Sequence, residues 1–515
     1  MISEQEIEVL RAENETLRKK VASLEDQLYW LRKKMFGKMS EKNLPLDPSV
    51  LSEPTLFSEE MTEEEKAVLA AEVAKSNEEE LNVIKVKSLD RKPRKAIDTG
   101  KLPVKEEHLY PEVANREDYT ELEPETTDVL VHVPEQLYIR RIIRHKLVLK
   151  SHLQIKDPER NAFELARLPE MPLPKCMASS SLLTDIIIEK FFYHMPFYRV
   201  IQKYKELGVT LSDSTMNDWY AATCQKLKLL YDILKREVLS KDYIQVDEST
   251  LPVIDNEKHR AVKGYLWCTR SVENHLVVFH YDMGSRGYET ARKLLRGYRG
   301  TIQTDGYGAY DQFEEDPYIQ VIGCWAHARR KFSDALEEDS RKASEGLVYI
   351  NKLYHIENEA REVGITGDAL TEKRRKESYP IILEFEKWMY DTVNKVSENS
   401  RMGKAISYTL PLLPRLGRYV NDGKFQIDNN LVENAIRPLA LGRKNYLFCG
   451  NHDAALRAAI IYSLIGSCKA AGVDPRPWLE DVLVRISECE KNQDALKDLL
   501  PNHWHKVALT FPDFG

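Results

Sequence analysis

Residues 243–250 read YIQVDEST, and the fold turns on how that octet is placed. Ile244 and Val246 alternate with Tyr243, Gln245 and Asp247, the period-two pattern of a strand. The apolar run ends on Asp247. A carboxylate at the end of a buried strand is costly unless it is paired or holds a metal. Glu248 follows and, on a strand, faces away from Asp247, so Asp247 is the preferred ligand. A second run, GTIQTDGYGAY at 300–310, ends on Asp305 before Gly306 and Gly308, which permit a tight turn. A third stretch, IDNNLVENAIRP at 427–438, reads as a helix start carrying Glu433. Two strand-end carboxylates side by side, joined by one from a helix, make an all-oxygen site for hard divalent cations.

Each acid also has a plainer reading. Asp-Gly is a common turn dipeptide, which accounts for Asp305 alone. With Asn430 as the helix cap, Glu433 falls at the third helical position and completes a capping box. Arg437 shares the face of Glu433 one turn on, Pro438 is expected to break the helix, and Arg443 and Lys444 follow. An acid with three basic neighbours suits a site that holds metal ions and a DNA phosphate. In GCWAHARRKF (323–332), Cys324 and His327 form a CxxH without a second half, so no zinc is expected. His327 with Arg329, Arg330 and Lys331 reads as a device that positions the sheet edge or binds DNA backbone.

Working outward, 241–335 holds strand candidates YIQVDES, GYLWCTRS, HLVVFHYD, GTIQTD and IQVIGCW, with a helix at Tyr288–Leu295 between the third and fourth. A meander, a helix and a parallel strand fit the first part of an RNase H-like catalytic core. Residues 336–425 read as a polar helical insertion, and 426–515 complete the core and add a C-terminal helical region. Residues 176–240 are helical. PFYRVIQKYKEL, the turn GVTL and a helix capped by Ser212 or Asp213 outline a helix-turn-helix, an outline that ordinary helix packing shares. Residues 105–175 alternate as a small β-rich module, and 41–104 form an acidic linker ending in the basic arm RKPRK (91–95).

Residues 1–40 carry a leucine zipper, with Ile7, Asn14, Val21, Leu28 and Met35 at a and Leu10, Leu17, Leu24 and Leu31 at d. Asn14 favours a parallel dimer in one register. The pairs Glu6–Arg11, Glu13–Arg18 and Lys20–Glu25 are opposite in sign. The expected fold class is thus multidomain α+β and α/β.

The whole chain of 515 residues is 42% apolar and 30% charged, as in soluble globular proteins. Its net charge of −7 conceals an acidic segment at 41–90, with 13 acidic and 5 basic residues, so the remainder can still bind phosphates. MISEQEIEVL at the start lacks the basic and apolar regions of a secretory signal, and no stretch reads as a membrane span. Seven scattered cysteines without a CxxC suggest reduced thiols, hence a cytoplasmic setting and no membrane partner.

The chain resembles transposases of the insertion-sequence-66 family, within the DDE superfamily. The resemblance rests on the zipper with MFGKMSEK (35–42), LLTDIIIEKFFYHMPFYR, VDEST, DGYGAY, GCWAHARRKF, IDNNLVENAIRPLALGRKNYLFCGN and YSLIGSCKAAGVDP in that order. It implies an RNase H-like core in which Asp247, Asp305 and Glu433 are catalytic ligands of two Mg²⁺ ions, with Mn²⁺ as a substitute. It also implies hydrolysis at transposon ends followed by attack of the freed 3′-OH on target DNA. Terminal inverted repeats and target DNA are then the partners. The zipper would pair two chains, and accessory proteins encoded by the element would take part. The family's usual cysteine-rich zinc segment is missing: no Cys precedes Cys176, and only His108, His132, His145 and His152 remain there. That departure keeps two alternatives in view, a transposase-derived DNA-binding dimer without catalysis and a stand-alone RNase H-like nuclease.

Overall fold

The computed structural model describes residues 137–139, 146–148, 163–165, 171–174, 176–490 and 492–505. The zipper expected over 1–40 and the linker and arm of 41–104 lie outside them, as does most of the module at 105–175. Within that module, β1 (Lys146–Val148) pairs antiparallel with β2 (Phe163–Leu165). The described residues divide into two units. His327–Leu413 with Val420–Gly423 form one, and the remainder forms the other.

The larger unit begins with α1 (Ser180–Phe191), α2 (Phe197–Glu206) and α3 (Asp213–Leu239). Ser212 settles the choice of cap for α3: its Oγ accepts the Thr215 N–H (3.1 Å), and Asp213 becomes the first helical residue. Gly208, at φ 91°, makes the turn between α2 and α3. Ile186, Val200, Tyr204 and Met216 are buried together where the three helices meet.

A five-stranded mixed sheet follows, in the order β5-β4-β3-β6-β7. β3 (Tyr243–Asp255), β4 (Arg260–Ser271) and β5 (Val277–Tyr281) form an antiparallel meander. The helix α4 (Tyr288–Leu294) leads to β6 (Gly300–Gln303), and β6 and β7 (Ile319–Ile322) both run parallel to β3. β3 is central, so its first four residues are buried on both faces. Ile244 and Val246 line one face, and the fully buried Gln245 lies on the other. The chain leaves the sheet through α5 (Trp325–Ala335).

The smaller unit is helical. It contains α6 (Ser340–Val363), α7 (Gly367–Lys373), α8 (Tyr379–Val393) and most of α9 (Arg401–Gly417). One π-helical turn, Arg374–Ser378, joins α7 to α8. Arg374 is 1% exposed and gives Nε–H and Nη2–H bonds of 2.8 and 2.7 Å to Glu357, so this buried charge is paired. Phe332, Phe385 and Trp388 pack together in this unit, with centroids 5.5–6.2 Å apart.

The larger unit resumes with α10 (Asn430–Tyr446), α11 (His452–Ala471), α12 (Pro475–Cys489) and α13 (Gln493–Lys497). Contrary to the sequence rule, Pro438 does not end its helix, and α10 continues for eight residues beyond it, to Tyr446. Proline removes the donor that would have reached the carbonyl of Asn434, and its ring crowds that carbonyl. Asn434 is exposed, so water can serve that carbonyl, while Val432, Ile436 and Leu439 bury the opposite face.

α11 also departs from expectation. Its 20 residues, at a mean hydropathy of 1.3, are long and apolar enough to cross a bilayer by length and composition. In the fold it is a core helix, buried nearly all round and laid along the open edge of β5. Ser463 and Ser467 take the place of a sixth strand. Their hydroxyls accept the N–H groups of Phe279 (2.7 Å) and Val277 (2.9 Å), and Ser467 Oγ donates to the Val277 carbonyl (2.9 Å). All seven cysteines are free thiols.

Candidate active site

Strand register brings the two aspartates together. β3 and β6 run parallel with Gln245 opposite Gln303. Asp247 and Asp305 each lie two residues beyond their glutamine, on the glutamines' side of the pleat; Asp305 follows the end of β6, whereas Asp247 is not the strand end the sequence suggests, because β3 continues to Asp255 in its pairing with β4. The Asp247 carboxyl is held well above the usual carboxylate range, first by burial, then by the negative charges of Asp305 and Glu248, with Glu433 acting in the same sense. The Glu248 N–H donates to Asp247 Oδ1 (2.7 Å), and the Tyr307 N–H donates to Asp305 Oδ1 (3.0 Å), so a backbone donor orients each carboxylate.

The same glutamines position the helix that carries Glu433. Gln245 Nε2 donates to Gln303 Oε1 (2.8 Å) and to the Asp428 carbonyl (3.0 Å), and Gln245 Oε1 accepts the Val432 N–H (3.1 Å). Gln303 Nε2 donates to the carbonyls of Gln426 (2.8 Å) and Gly323 (3.1 Å). Arg270 of β4 reaches the Leu431 carbonyl (3.0 Å), and Cys324 Sγ accepts the Asn429 N–H (3.4 Å). The start of α10 is thereby stitched to three strands by buried polar groups. Its cap is Asn429, which makes no side-chain cap bond, so Glu433 is the fourth helical residue and not the partner of a capping box. Cys324 Sγ lies within 4.8 Å of a Glu433 carboxylate oxygen. His327 is three residues further along the chain, in α5.

One layer of the site was not read from the sequence. Glu248 points into the protein, its side chain 1% exposed. Oε1 accepts both Nε–H (2.8 Å) and Nη2–H (2.7 Å) of Arg286, and Oε2 accepts the Tyr310 hydroxyl (2.9 Å). Burial still holds the Glu248 carboxyl above its ordinary range despite these partners. The Arg286 guanidinium also lies 3.8 Å from the Tyr307 ring centre, and Tyr307 Oη donates to the Arg286 carbonyl (3.1 Å). Arg286 therefore ties the residue after Asp247 to the residue two after Asp305.

The basic candidates differ in placement. Arg437 and Lys444 are exposed on α10. Arg443 turns toward β3, where its guanidinium bonds Ser249 Oγ (3.1 Å), Thr250 Oγ1 (2.6 Å) and the Thr250 carbonyl. It braces the strand just past Asp247. On α5, Arg329 is 6% exposed and sits 5.8 Å from the Tyr354 ring, Arg330 is half-buried, and Lys331 is exposed beside Tyr408.

The paired aspartates suit a hard divalent ion, while a Glu433 carboxylate oxygen lies within 4.8 Å of Cys324 Sγ. Burial and neighbouring negative charge oppose ionisation of Asp247, and a cation held by oxygen ligands is the counter-charge that reverses this. A family model for IS66 transposases matches residues 175–457, and one for the IS66 C-terminal element matches 463–502. The chain is 31% identical over 393 residues to "Uncharacterized protein y4jD" of Sinorhizobium fredii, covering 74% of this chain and 75% of that one. It is 32% identical over 349 residues to "Uncharacterized protein y4qI" of the same organism, covering 65% and 63%. Asp247, Asp305 and the helix that carries Glu433 all fall within the first matched segment, and the chain belongs to the IS66 transposase family.

Proposed function

We propose that the protein cleaves DNA at the ends of its insertion sequence and joins the freed 3′ ends to target DNA, using an RNase H-like sheet as the catalytic frame. The observation that supports this reading is the Gln245–Gln303 pair, which lies two residues before each of Asp247 and Asp305 and binds the start of the Glu433 helix to β3. Asp247, Asp305 and Glu433 would hold two Mg²⁺ ions, or Mn²⁺ in their place. The chemistry the ions supply when bound is activation of water or a 3′-OH and stabilisation of the leaving oxygen. The chain's own part is orientation. Backbone donors fix the two aspartates, and Glu248 stays out of the ligand set because Arg286 and Tyr310 occupy it. Arg437, Lys444, Arg330 and Lys331 are the DNA-backbone contacts in this reading, while Arg443 and Cys324 act as positioning residues. The zipper of residues 1–40 pairs two chains so that two element ends are held together, with accessory proteins of the element joining the assembly in the cytoplasm.

The test is Mg²⁺-dependent nicking of duplexes bearing the terminal repeats. Asp305→Asn and Glu433→Gln are expected to abolish nicking and leave binding to the same duplex intact. Nicking that persists in both variants refutes the assignment.

A further inference from the structure

Away from the carboxylates, a cleft of about 400 Å³ opens in the larger unit between the end of α4 and the starts of β6 and β7. Three arginines line it, Arg292, Arg296 and Arg299, against a single acid, Asp316. That carboxylate is already engaged, its Oδ1 accepting the Tyr318 N–H (2.9 Å). Arg292 has a distant partner, Glu289 at 4.0 Å, whereas Arg296 and Arg299 are exposed and form no ion pair among the described residues. The Arg299 guanidinium lies 4.3 Å from the centre of the exposed Tyr318 ring. Stacking holds an arginine in place without using its donors, which favours planar binding of a phosphate. The turn between the arginines is rigid. Gly297 adopts φ 78°, and buried Tyr298 anchors it through its hydroxyl to the Thr301 carbonyl (3.1 Å).

We propose that this cleft is a second DNA contact, which takes backbone phosphates on Arg296 and Arg299. The inference rests on the proposed function only in choosing DNA as the source of the phosphates. Six residues separate Arg299 from Asp305 along β6, about 20 Å at ~3.3 Å per residue. The cleft thus opens at the opposite end of β6 from Asp305, so it would take phosphates of DNA away from the point of cleavage, without contacting the reacting atoms.

The experiment is fluorescence anisotropy on the full chain, with a duplex long enough to extend well past the element end, at 50 and 200 mM salt. Loss of two phosphate contacts lowers the slope of log K against log salt by about 1.8. Arg296→Ala/Arg299→Ala is therefore expected to lose affinity at 50 mM salt and to show about a twelve-fold smaller drop in affinity between the two salts. Arg299→Lys is expected to keep the slope. An unchanged slope and affinity in the double variant overturns the proposal. Displacement of a phosphate probe from the cleft by a deoxynucleoside monophosphate or inorganic phosphate, with duplex affinity unchanged by the double variant, also overturns it in favour of a free anion. Because the readout is binding, a failure here is separable from a failure of the carboxylate assignment, which is read by nicking.

Discussion

Arg286→Ala should expose how strongly the acidic site depends on one arginine. The substitution removes two charge-assisted hydrogen bonds to Glu248 and leaves a carboxylate that is 1% exposed with only the Tyr310 hydroxyl. Breaking a fully buried ion pair from one side costs about 3–5 kcal/mol. Arg286 is itself 41% exposed, so solvent screening lowers the expected loss to about 2 kcal/mol. Glu248→Gln alone should cost less, because it also removes a negative charge that opposes ionisation of Asp247. In the double variant no charge is stranded, so its loss should fall short of the sum of the single losses by about 1–1.5 kcal/mol. Urea unfolding of the four proteins at pH 7 measures this coupling. The pH dependence supplies a second arm. The Glu248 carboxyl already sits above its ordinary range, and without Arg286 it rises further, so the native state binds a proton that the unfolded chain releases. The stability of Arg286→Ala relative to the parent should therefore improve from pH 7 to pH 5. Additive losses with no change between these pH values would refute the view that Arg286 acts through Glu248.

Two further outcomes follow from the scaffold. Ser467→Ala strips the Val277 N–H and carbonyl of their buried partner, and urea unfolding should show a loss of about 1–3 kcal/mol, against no more than about 1 kcal/mol for alanine at an exposed α11 position such as Leu456. Burial, aided by Lys235, lowers the His280 imidazole to about 4 from an ordinary value of 6.5, so the unfolded chain binds more protons between those values and stability should fall as pH drops from 6.5 towards 4. His280→Gln should flatten that part of the stability–pH curve, and an unchanged slope would show that other groups set it.

The meander was legible because its strands alternate, and Asp247 and Asp305 stood out because each follows an apolar run, although β3 continues past Asp247 to Asp255. What holds the carboxylates in place was harder to read, and the reason is physical. Gln245 and Gln303 are buried amides on strands that look half-polar, so period-two alternation assigns them to solvent. The overlooked signal was repetition: QVD at 245–247 and QTD at 303–305 share a Gln-x-Asp spacing, which makes sense only if adjacent parallel strands present matching amides followed by matching acids. Pro438 misled for a related reason, since the rule for proline concerns an isolated helix, whereas α10 is held by buried apolar residues and by Arg443 on Thr250. Arg286 carried no local signal at all. It lies between β5 and α4, far in sequence from Glu248, and becomes part of the site only after the sheet has brought Asp247 and Asp305 to one level. The amide pair thus belongs to the fold and the arginine to its refinement. Replacing Gln303 by Leu should then disturb both α10 and the acids, while losing Arg286 should leave α10 in place.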